Sequence, residues 1–299
     1  MSKQLKHFLL LTSFGMLLLS ACTKNPFDKG EVSLNRFQIT GQVALSDHIV
    51  PEGVFVWLEG YDVSTSTDEN GVFVLALPPD LNQGGGIGQS GAFKIYFYVS
   101  NYAIKSVDVI IRNGEFVFGK ADIDSEGIIN QPVLIPKLLA VTTTVSNTHN
   151  RNIEPERALK GTPIQIQVRL EALRNNITVR MLSTPIHQIS AFFVKTVTSD
   201  TSDIRLFQDD NAGSSYLTGM LLHTQTKIVQ TIVTLPAEYM EGDYLIFPHL
   251  IVDQNGVPAD LLRHISDNPL GFSSEYLKLP FKQTPGLLKL RDEIPELNL

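Results

Sequence analysis

Short runs in which apolar and polar residues alternate dominate the chain from Arg36 onward. A period of two is typical of strands whose two sides face a core and solvent. Six such runs lie between turn residues in the first part of the chain: FQITGQVAL, GVFVWLEG, GVFVLALP, AFKIYFYVS, AIKSVDVII and GEFVFG. Asn70-Gly71 and Asn113-Gly114 indicate tight turns in which both central residues have positive φ. This pattern predicts a β-sandwich over residues 36–137.

A second set of strand-like runs follows, and PVLIPKLLA marks the predicted boundary between two domains. The runs are AVTTTVS, PIQIQVRLEA, ITVRML, ISAFFVKT, YLTGMLL, KIVQTIVTLP and YLIFPHLIV. By pattern alone we predict an immunoglobulin-like β-sandwich over residues 138–299, which makes the whole chain all-β. A short helix is expected over residues 258–268, and the tail from Pro285 has no pattern that assigns it a partner.

The first 21 residues have the features of an export signal. Lys3 and Lys6 precede an apolar run at residues 8–19, and the small pair Ser20-Ala21 follows. The run is shorter than the roughly 20 residues that span a bilayer. A buried core helix is the alternative, but it explains neither the basic start nor the polar TKNPFDKGE that comes next. Residues 22–35 are interpreted as a tether.

The segment Leu19-Ser20-Ala21-Cys22 resembles a bacterial lipobox. The resemblance implies that the chain is cut before Cys22 and that the thiol of Cys22 carries a lipid. No second cysteine is present to form a disulfide. Several acyl chains hold a protein stably on a membrane. Thr23, in place of the aspartate that retains some lipoproteins in an inner membrane, favours an outer-membrane anchor, on either its periplasmic or its outer side.

The first domain resembles the carboxypeptidase regulatory-like domain, a transthyretin-like β-sandwich. The likeness is carried by GQV at 41–43, PEGVFVWLEG at 51–60, TSTDENGVFVL at 65–75 and NY at 101–102. The insertion PDLNQGGGIGQSG departs from the family, which usually enters its next strand quickly. The resemblance implies a stability and interaction module of exported proteins that has no catalytic residues and no cofactor.

Composition narrows the classes of partner. Without residues 1–21 the chain has 278 of its 299 residues, and its formal net charge changes from −7 to −9 because Lys3 and Lys6 are removed. Nucleic-acid binding relies on cationic contacts to phosphate, so an acidic chain of this kind is a poor candidate for it. A hydrophobic content of 43% with 18% charged residues is typical of a globular protein.

Two motifs match known sites only in part. The G-x-G-x-x-G at residues 86–91 precedes a strand-like run instead of a helix, so it does not predict a dinucleotide site. Asp122, Asp124 and Glu126 resemble the first half of a calcium loop, but Val133 stands where a bidentate carboxylate is required. These acidic residues, like residues 68–70 and 209–211, are interpreted as solvated turns.

No catalytic or metal site is predicted. Six histidines remain after the signal, and none is spaced to place two ligands on one helix face: His48, His149, His187, His223, His249 and His264. Glu238 and Glu241 have a spacing compatible with a glycosidase pair, but any β protein offers such pairs. The Asn176-Ile177-Thr178 sequon has little meaning in a bacterial lipoprotein.

Trp57, the only tryptophan, lies in the most informative run. Alternation puts Val54, Val56 and Leu58 on the core side, with Phe55 and Trp57 on the other. Phe73, Leu75 and Leu77 are likewise inward, which leaves Val72 and Val74 outward beside Trp57. Tyr96 and Tyr98 lie opposite Phe93, Ile95 and Phe97. Phe55, Trp57, Tyr96 and Tyr98 therefore form a candidate binding patch, unless the second domain or the glycine-rich loop covers it.

These observations favour a non-enzymatic lipoprotein of the cell envelope that acts as a binding or accessory module. Its expected partners are the membrane, through the lipid, and a cell-envelope protein or polysaccharide. The alternative is an extracytoplasmic hydrolase whose site lies on loops of the second domain. An enzyme should bring several titratable groups with shifted pKa values into one cleft.

Overall fold

The computed structural model describes residues 38–61, 63–77, 90–112, 115–117, 122–124, 126–148, 154–174, 176–197, 204–208 and 214–293. The export signal, the lipobox with Cys22, the tether, the glycine-rich loop, the Asn113-Gly114 turn, His149 and the acidic residues 209–211 lie outside this set. No helix within it is long and apolar enough to cross a membrane.

Eight strands make up the described part of the first domain. They are β1 (Gln38–Leu45), β2 (Phe55–Leu58), β3 (Val63–Ser66), β4 (Val72–Ala76), β5 (Gly91–Tyr98), β6 (Lys105–Arg112), β7 (Glu115–Phe116) and β8 (Val133–Ile135). One sheet has the order β4-β1-β8 and the other β3-β2-β5-β6-β7. The pairs are antiparallel except β1 with β8, which is parallel.

The inward residues of the first domain are those that alternation predicts. Val54, Val56 and Leu58 are fully buried in a core that also holds Phe73 and Leu75 from the other sheet. Burying such side chains contributes about 1.5–3 kcal/mol each. This core makes the first domain a two-layer sandwich.

The structure corrects two details of the first domain. Val72 and Val74 are exposed, as alternation predicts, but they lie on the β4-β1-β8 sheet and not beside Trp57. Asn70-Gly71 forms a turn that joins β3 to β4 across the two sheets, and only Gly71 has positive φ. A Cβ on Gly71 would lie 2.2 Å from the carbonyl oxygen of Val43, so this position requires glycine.

Eleven strands and two short helices make up the described part of the second domain. The strands are β9 (Leu139–Asn147), β10 (Arg157–Leu159), β11 (Pro163–Ala172), β12 (Ile177–Ser183), β13 (Ala191–Thr196), β14 (Ile204–Gln208), β15 (Tyr216–Leu222), β16 (Thr226–Thr234), β17 (Gly242–Pro248), β18 (Leu250–Asp253) and β19 (Gly286–Arg291). The helices are α1 (Ala259–Ile265) and a 3-10 helix (Ser274–Lys278). The predicted helix over residues 258–268 is confirmed.

Three sheets enclose the second core, with the orders β10-β19-β17-β13-β14, β16-β11-β9 and β15-β12-β18. Residues from all three sheets contribute to one buried cluster, among them Ile166, Val179, Phe192 and Ile246. The prediction of an all-β chain made of β-sandwiches is confirmed. Most pairs in the second domain are antiparallel, and β10 with β19 is parallel.

The tail that the sequence pattern left unassigned contains β19. This strand lies between β10 and β17 inside the five-stranded sheet. Leu288 and Leu290 are buried in the second core, whereas Leu287 between them is partly exposed. The segment GLLKLR has only three apolar residues, two of them adjacent, so alternation alone gave too weak a signal.

Asn101 joins the two domains. It is fully buried, and its side-chain amide donates to the carbonyl oxygens of Leu139 at 2.9 Å and Lys282 at 2.8 Å. Its side-chain oxygen accepts from the Lys282 backbone N–H at 3.0 Å. Gln254 adds a second bridge, because its side chain donates to Ser100 O at 2.8 Å and accepts from the Ile104 N–H at 3.0 Å.

A cluster of three polar side chains lies beside this joint, with Tyr102 buried and Asp47 and Lys137 half-buried. The Tyr102 hydroxyl donates to both carboxylate oxygens of Asp47, at 3.0 and 2.9 Å, and Lys137 Nζ lies 2.8 Å from Asp47 Oδ2. Burial acts to raise the pKa of Asp47, but the hydrogen bonds from Lys137 and Tyr102 outweigh it and hold that pKa below its ordinary value. The cluster fixes Lys137, the last residue of the predicted first domain, against β1.

Candidate functional site

The four aromatic residues of the candidate patch do share one face of the first domain. On the β3-β2-β5-β6-β7 sheet Trp57 pairs with Tyr96, and Phe55 pairs with Tyr98. The rings of Trp57 and Tyr96 are stacked, with centroids 5.9 Å apart and an angle of 27° between their planes. Alternation thus predicted the direction of these side chains correctly.

The second domain covers this face. Trp57 is 4% and Tyr98 3% exposed, and they lie in one buried cluster with Phe193 of β13 and Leu261 of α1. His264 of α1 lies against both Phe55 and Trp57, with ring centroids 6.3 and 6.2 Å away. The hypothesis of an open aromatic platform centred on Trp57 is therefore corrected. The patch is a buried contact between the two domains, because α1 and β13 cover the aromatic rings.

The aromatic packing continues into the second domain around His249. The rings of Phe193 and Tyr276 are stacked at 5.2 Å, and the Tyr276 hydroxyl donates to Leu250 O at 2.7 Å. Burial lowers the pKa of His249 to about 4, partly opposed by the backbone of Leu270 and Gly271. Burial also raises the pKa of Tyr276. Both groups are neutral at pH 7 and act in packing.

The acidic turns bond to their own backbone. Asp68 Oδ1 accepts from the N–H groups of Asn70 at 2.9 Å and Val72 at 2.7 Å. Asp124 Oδ1 accepts from Glu126 at 2.9 Å and Ile128 at 2.8 Å. In the described part of the chain, no three His, Cys, Asp or Glu side chains converge to hold a metal ion. Glu241, which is exposed, lies 3.7 Å from the guanidinium of the half-buried Arg291 and forms an ion pair with it.

A cleft of about 440 Å³ opens on the second domain, between β12, β15 and the loop after β12. Met181 of β12 lines it together with Tyr216, Thr218 and Met220 of β15. The third lining element is the loop segment 183–188. This volume lies within the range of about 300–1,000 Å³ that is usual for ligand pockets.

The loop that borders the cleft is held in a fixed turn. The Thr184 N–H donates to His187 O at 2.8 Å, and the His187 N–H donates back to Thr184 Oγ1 at 3.0 Å. The Ser183 hydroxyl donates to Gln188 O at 2.8 Å. The turn holds Ile186 at the rim, where it is 69% exposed. The loop is therefore held in place by its own hydrogen bonds, and it presents an exposed apolar side chain, Ile186, among mostly polar ones.

The polar side chains that line the cleft carry hydroxyl, amide and imidazole groups, and no Asp, Glu, Lys or Arg is among the lining residues. The Thr218 hydroxyl oxygen is enclosed and has no hydrogen-bond partner among the described residues. The Tyr216 hydroxyl lies 3.5 Å from Thr184 O. Methionine side chains beside hydroxyl and amide groups, with no carboxylate, lysine or arginine, suit binding of an uncharged ligand.

Strand β15 forms an open edge of the second domain next to the cleft. It pairs with β12 along its whole length, and no described strand pairs with its other side. Its sequence YLTGMLL contains neither a charge nor a proline. Leu217 and Leu221 are 48% and 55% exposed. Natural edge strands usually carry charges, prolines or bulges that prevent pairing with another chain.

Sequence reasoning identified the β15 run as a strand but did not find the cleft. Two of the three methionines beyond residue 21 line it, Met181 and Met220, and they lie 39 positions apart in the sequence. Their neighbourhood depends on the pairing of β12 with β15, which no local pattern specifies. The absence of charge in YLTGMLL was the signal available in the sequence.

Comparison with known proteins gives loose structural likenesses. No family model and no curated protein matches the chain. A variant of the shaft pilin SpaA from Lactobacillus rhamnosus GG is 10% identical, with 86% of this chain and 99% of that one covered at a TM-score of 0.32. BcpA, the major pilin subunit of Bacillus cereus, is 12% identical, with coverages of 70% and 62% and a TM-score of 0.25. The Bacillus anthracis TIE protein is 6% identical, with coverages of 73% and 48% and a TM-score of 0.21.

Proposed function

We propose that this chain is a non-enzymatic binding or accessory module of the cell envelope, lipid-anchored at Cys22 to an outer membrane. In this proposal the second domain carries the binding surface, and a cell-envelope protein or polysaccharide is the partner. One observation carries the proposal: the cleft beside β15 is lined by methionine, hydroxyl and amide side chains without a pair of carboxylates.

The joint between the domains supports the same proposal. The aromatic face of the first domain packs against the second, and Asn101 bonds to both the start of β9 and the segment after the 3-10 helix. Interfaces with a large apolar share restrict relative domain motion. Such a joint holds the cleft at a fixed position relative to the start of β1.

The groups with the largest pKa shifts also support a structural role over catalysis. Burial raises the pKa of Tyr102 and Tyr276 and lowers that of His249 to about 4. Tyr102 bonds to Asp47 and Tyr276 to the backbone of Leu250, so both hydroxyls have structural partners. A catalytic cluster would instead place such groups together in one open cleft.

The anchor is tested by changing the proposed acceptor. We expect the full chain, expressed in a bacterium with an outer membrane, to fractionate with membranes and to have an acylated Cys22 at its N-terminus. The Cys22→Ser variant should leave the membrane fraction, because it lacks the thiol that forms the thioether. Thr23→Ser is the control. A membrane-bound Cys22→Ser variant, or an unmodified Cys22 in the wild type, would contradict the anchor.

The absence of catalysis has its own test. Purified full-length protein is incubated with chromogenic esters, peptides and glycosides, and product is followed against a sample of His187→Ala. No turnover above the buffer rate is expected. Turnover that His187→Ala abolishes would favour a hydrolase site on the second domain and would contradict the proposed binding module.

A further inference from the structure

We propose that β15 and the adjoining cleft bind an uncharged, extended peptide segment of a partner protein, which pairs with β15 as a fourth strand of the β15-β12-β18 sheet. The inference rests on the proposed binding function and names the class of partner. Strand addition of this kind uses main-chain hydrogen bonds for affinity and pockets for alternate side chains for specificity.

The backbone of β15 supplies the hydrogen bonds. Its seven residues pair with β12 from Tyr216↔Ser183 to Leu222↔Ile177. In an antiparallel strand, alternate residues direct their N–H and C=O groups to opposite edges. The groups on the outer edge of β15 have no strand partner among the described residues, so an incoming strand meets a regular row of donors and acceptors.

The side chains of β15 present different chemistry on the two faces of its sheet. Tyr216, Thr218 and Met220 line the cleft, while Leu217 and Leu221 are exposed on the opposite face. Alternate side chains of an added strand would therefore enter the cleft, and those between them would cover Leu217 and Leu221. Met181 and Met220 in the lining of the cleft adapt to apolar side chains of different shapes, because methionine is unbranched and polarizable.

The lack of charged side chains in the lining of the cleft favours an uncharged occupant. No Asp, Glu, Lys or Arg lines the cleft, and Arg180 on the neighbouring strand is paired with Asp253 at 2.8 Å. A charged peptide would lose hydration here without gaining an ion pair. A neutral segment loses little and buries apolar surface against the exposed leucines.

A second copy of this chain is the competing occupant. Antiparallel pairing of two β15 strands about Gly219 would be symmetric, placing Leu217 against Leu221 of the other copy. However, a formal net charge of −9 on each mature chain opposes the approach of two copies, whereas a neutral segment of another protein meets no such repulsion. We therefore assign the site to a partner peptide.

The test uses full-length protein in detergent and a labelled seven-residue peptide of alternating Val and Thr with blocked ends. Fluorescence anisotropy should show saturable binding, and a matched peptide of alternating Val and Glu should bind at least tenfold more weakly. When the neutral peptide binds, hydrogen exchange should slow at those amides of Tyr216–Leu222 that point away from β12. Binding without this protection would overturn strand addition.

Two lysine substitutions on edge strands give a matched pair. Leu221→Lys places a charge on the open edge of β15 and should weaken peptide binding at least tenfold. Ile228→Lys, on the edge strand β16 of another sheet, is also at an exposed position and should leave binding unchanged. Both positions are solvent-exposed, so thermal unfolding should match the wild type. Equal affinities for both variants would overturn the assignment to β15.

Sedimentation velocity distinguishes a partner peptide from a second copy of the chain as the occupant of β15. If the wild type is a dimer and Leu221→Lys is a monomer, β15 binds a second copy of the chain and not a partner peptide. Absence of peptide binding, with Cys22-dependent membrane attachment intact and no hydrolytic turnover, would overturn this inference alone. Loss of the anchor or the presence of turnover would instead overturn the proposed function.

Discussion

The ring of His249 lies among Phe193, Phe272 and Tyr276, with centroids 6.1, 5.4 and 4.6 Å away. Its pKa falls from 6.5 to about 4 because burial disfavours the protonated form. The unfolded chain therefore binds more protons than the native one between these two pH values. Native stability from this group is complete above pH 6.5 and is lost as the pH falls toward 4.

The free energy of unfolding should fall by about 3 kcal/mol across that window from His249 alone. Replacing His249 with Phe should remove this component, which urea unfolding at pH 7 and pH 4.5 would measure for both proteins. The His223→Phe variant, at an exposed position, controls for loss of a histidine. An undiminished pH dependence in His249→Phe would mean that another group causes it.

At the scale of elements, two neighbouring leucines of β19 differ strongly in solvent exposure. Leu288 is 0% exposed in the second core, whereas Leu287 is 37% exposed on the other side of the same strand. Truncating a buried leucine removes apolar contact and leaves a cavity.

Leu288→Ala should lower the free energy of unfolding by about 2–5 kcal/mol, and Leu287→Ala should lower it by about 1 kcal/mol or less. Chemical denaturation of the two variants measures the difference. Similar losses in both would contradict the position of β19 between β10 and β17.

At the scale of the whole molecule, α1 holds the two sandwiches together. Leu261 is fully buried in the cluster that contains Trp57, and Arg263 on the same helix is exposed. A carboxylate at position 261 would be buried without a partner, and separating the domains would relieve that cost.

We expect Leu261→Asp to shift the emission of Trp57 to longer wavelength and to split unfolding into two transitions, because each domain has its own core. The Arg263→Gln variant should behave as the wild type. Trp57 is the only tryptophan, so its emission reports this interface alone. Unchanged emission in Leu261→Asp would show that α1 does not cover Trp57.

Alternation specified which side chains of a strand point together, but not which strand lies beside it. It placed Val56 and Leu58 inward and Trp57 and Tyr98 outward, since the side-chain direction is a local property with period two. It put Val72 and Val74 beside Trp57, and the structure places them on the other sheet. Strand order is a long-range property, set by the packing of both sheets on one core.

The sequence by itself determined the all-β class, the division of core and outward residues in the first domain, and the short helix after β18. Tertiary structure alone decided that the aromatic face around Trp57 is buried, that the C-terminal tail contributes a central strand, and that Met181 and Met220 meet in one cleft. The physical reason is the distance in sequence over which each effect acts. Backbone geometry relates residues that are close in the sequence, whereas burial depends on which distant segments exclude water from a surface.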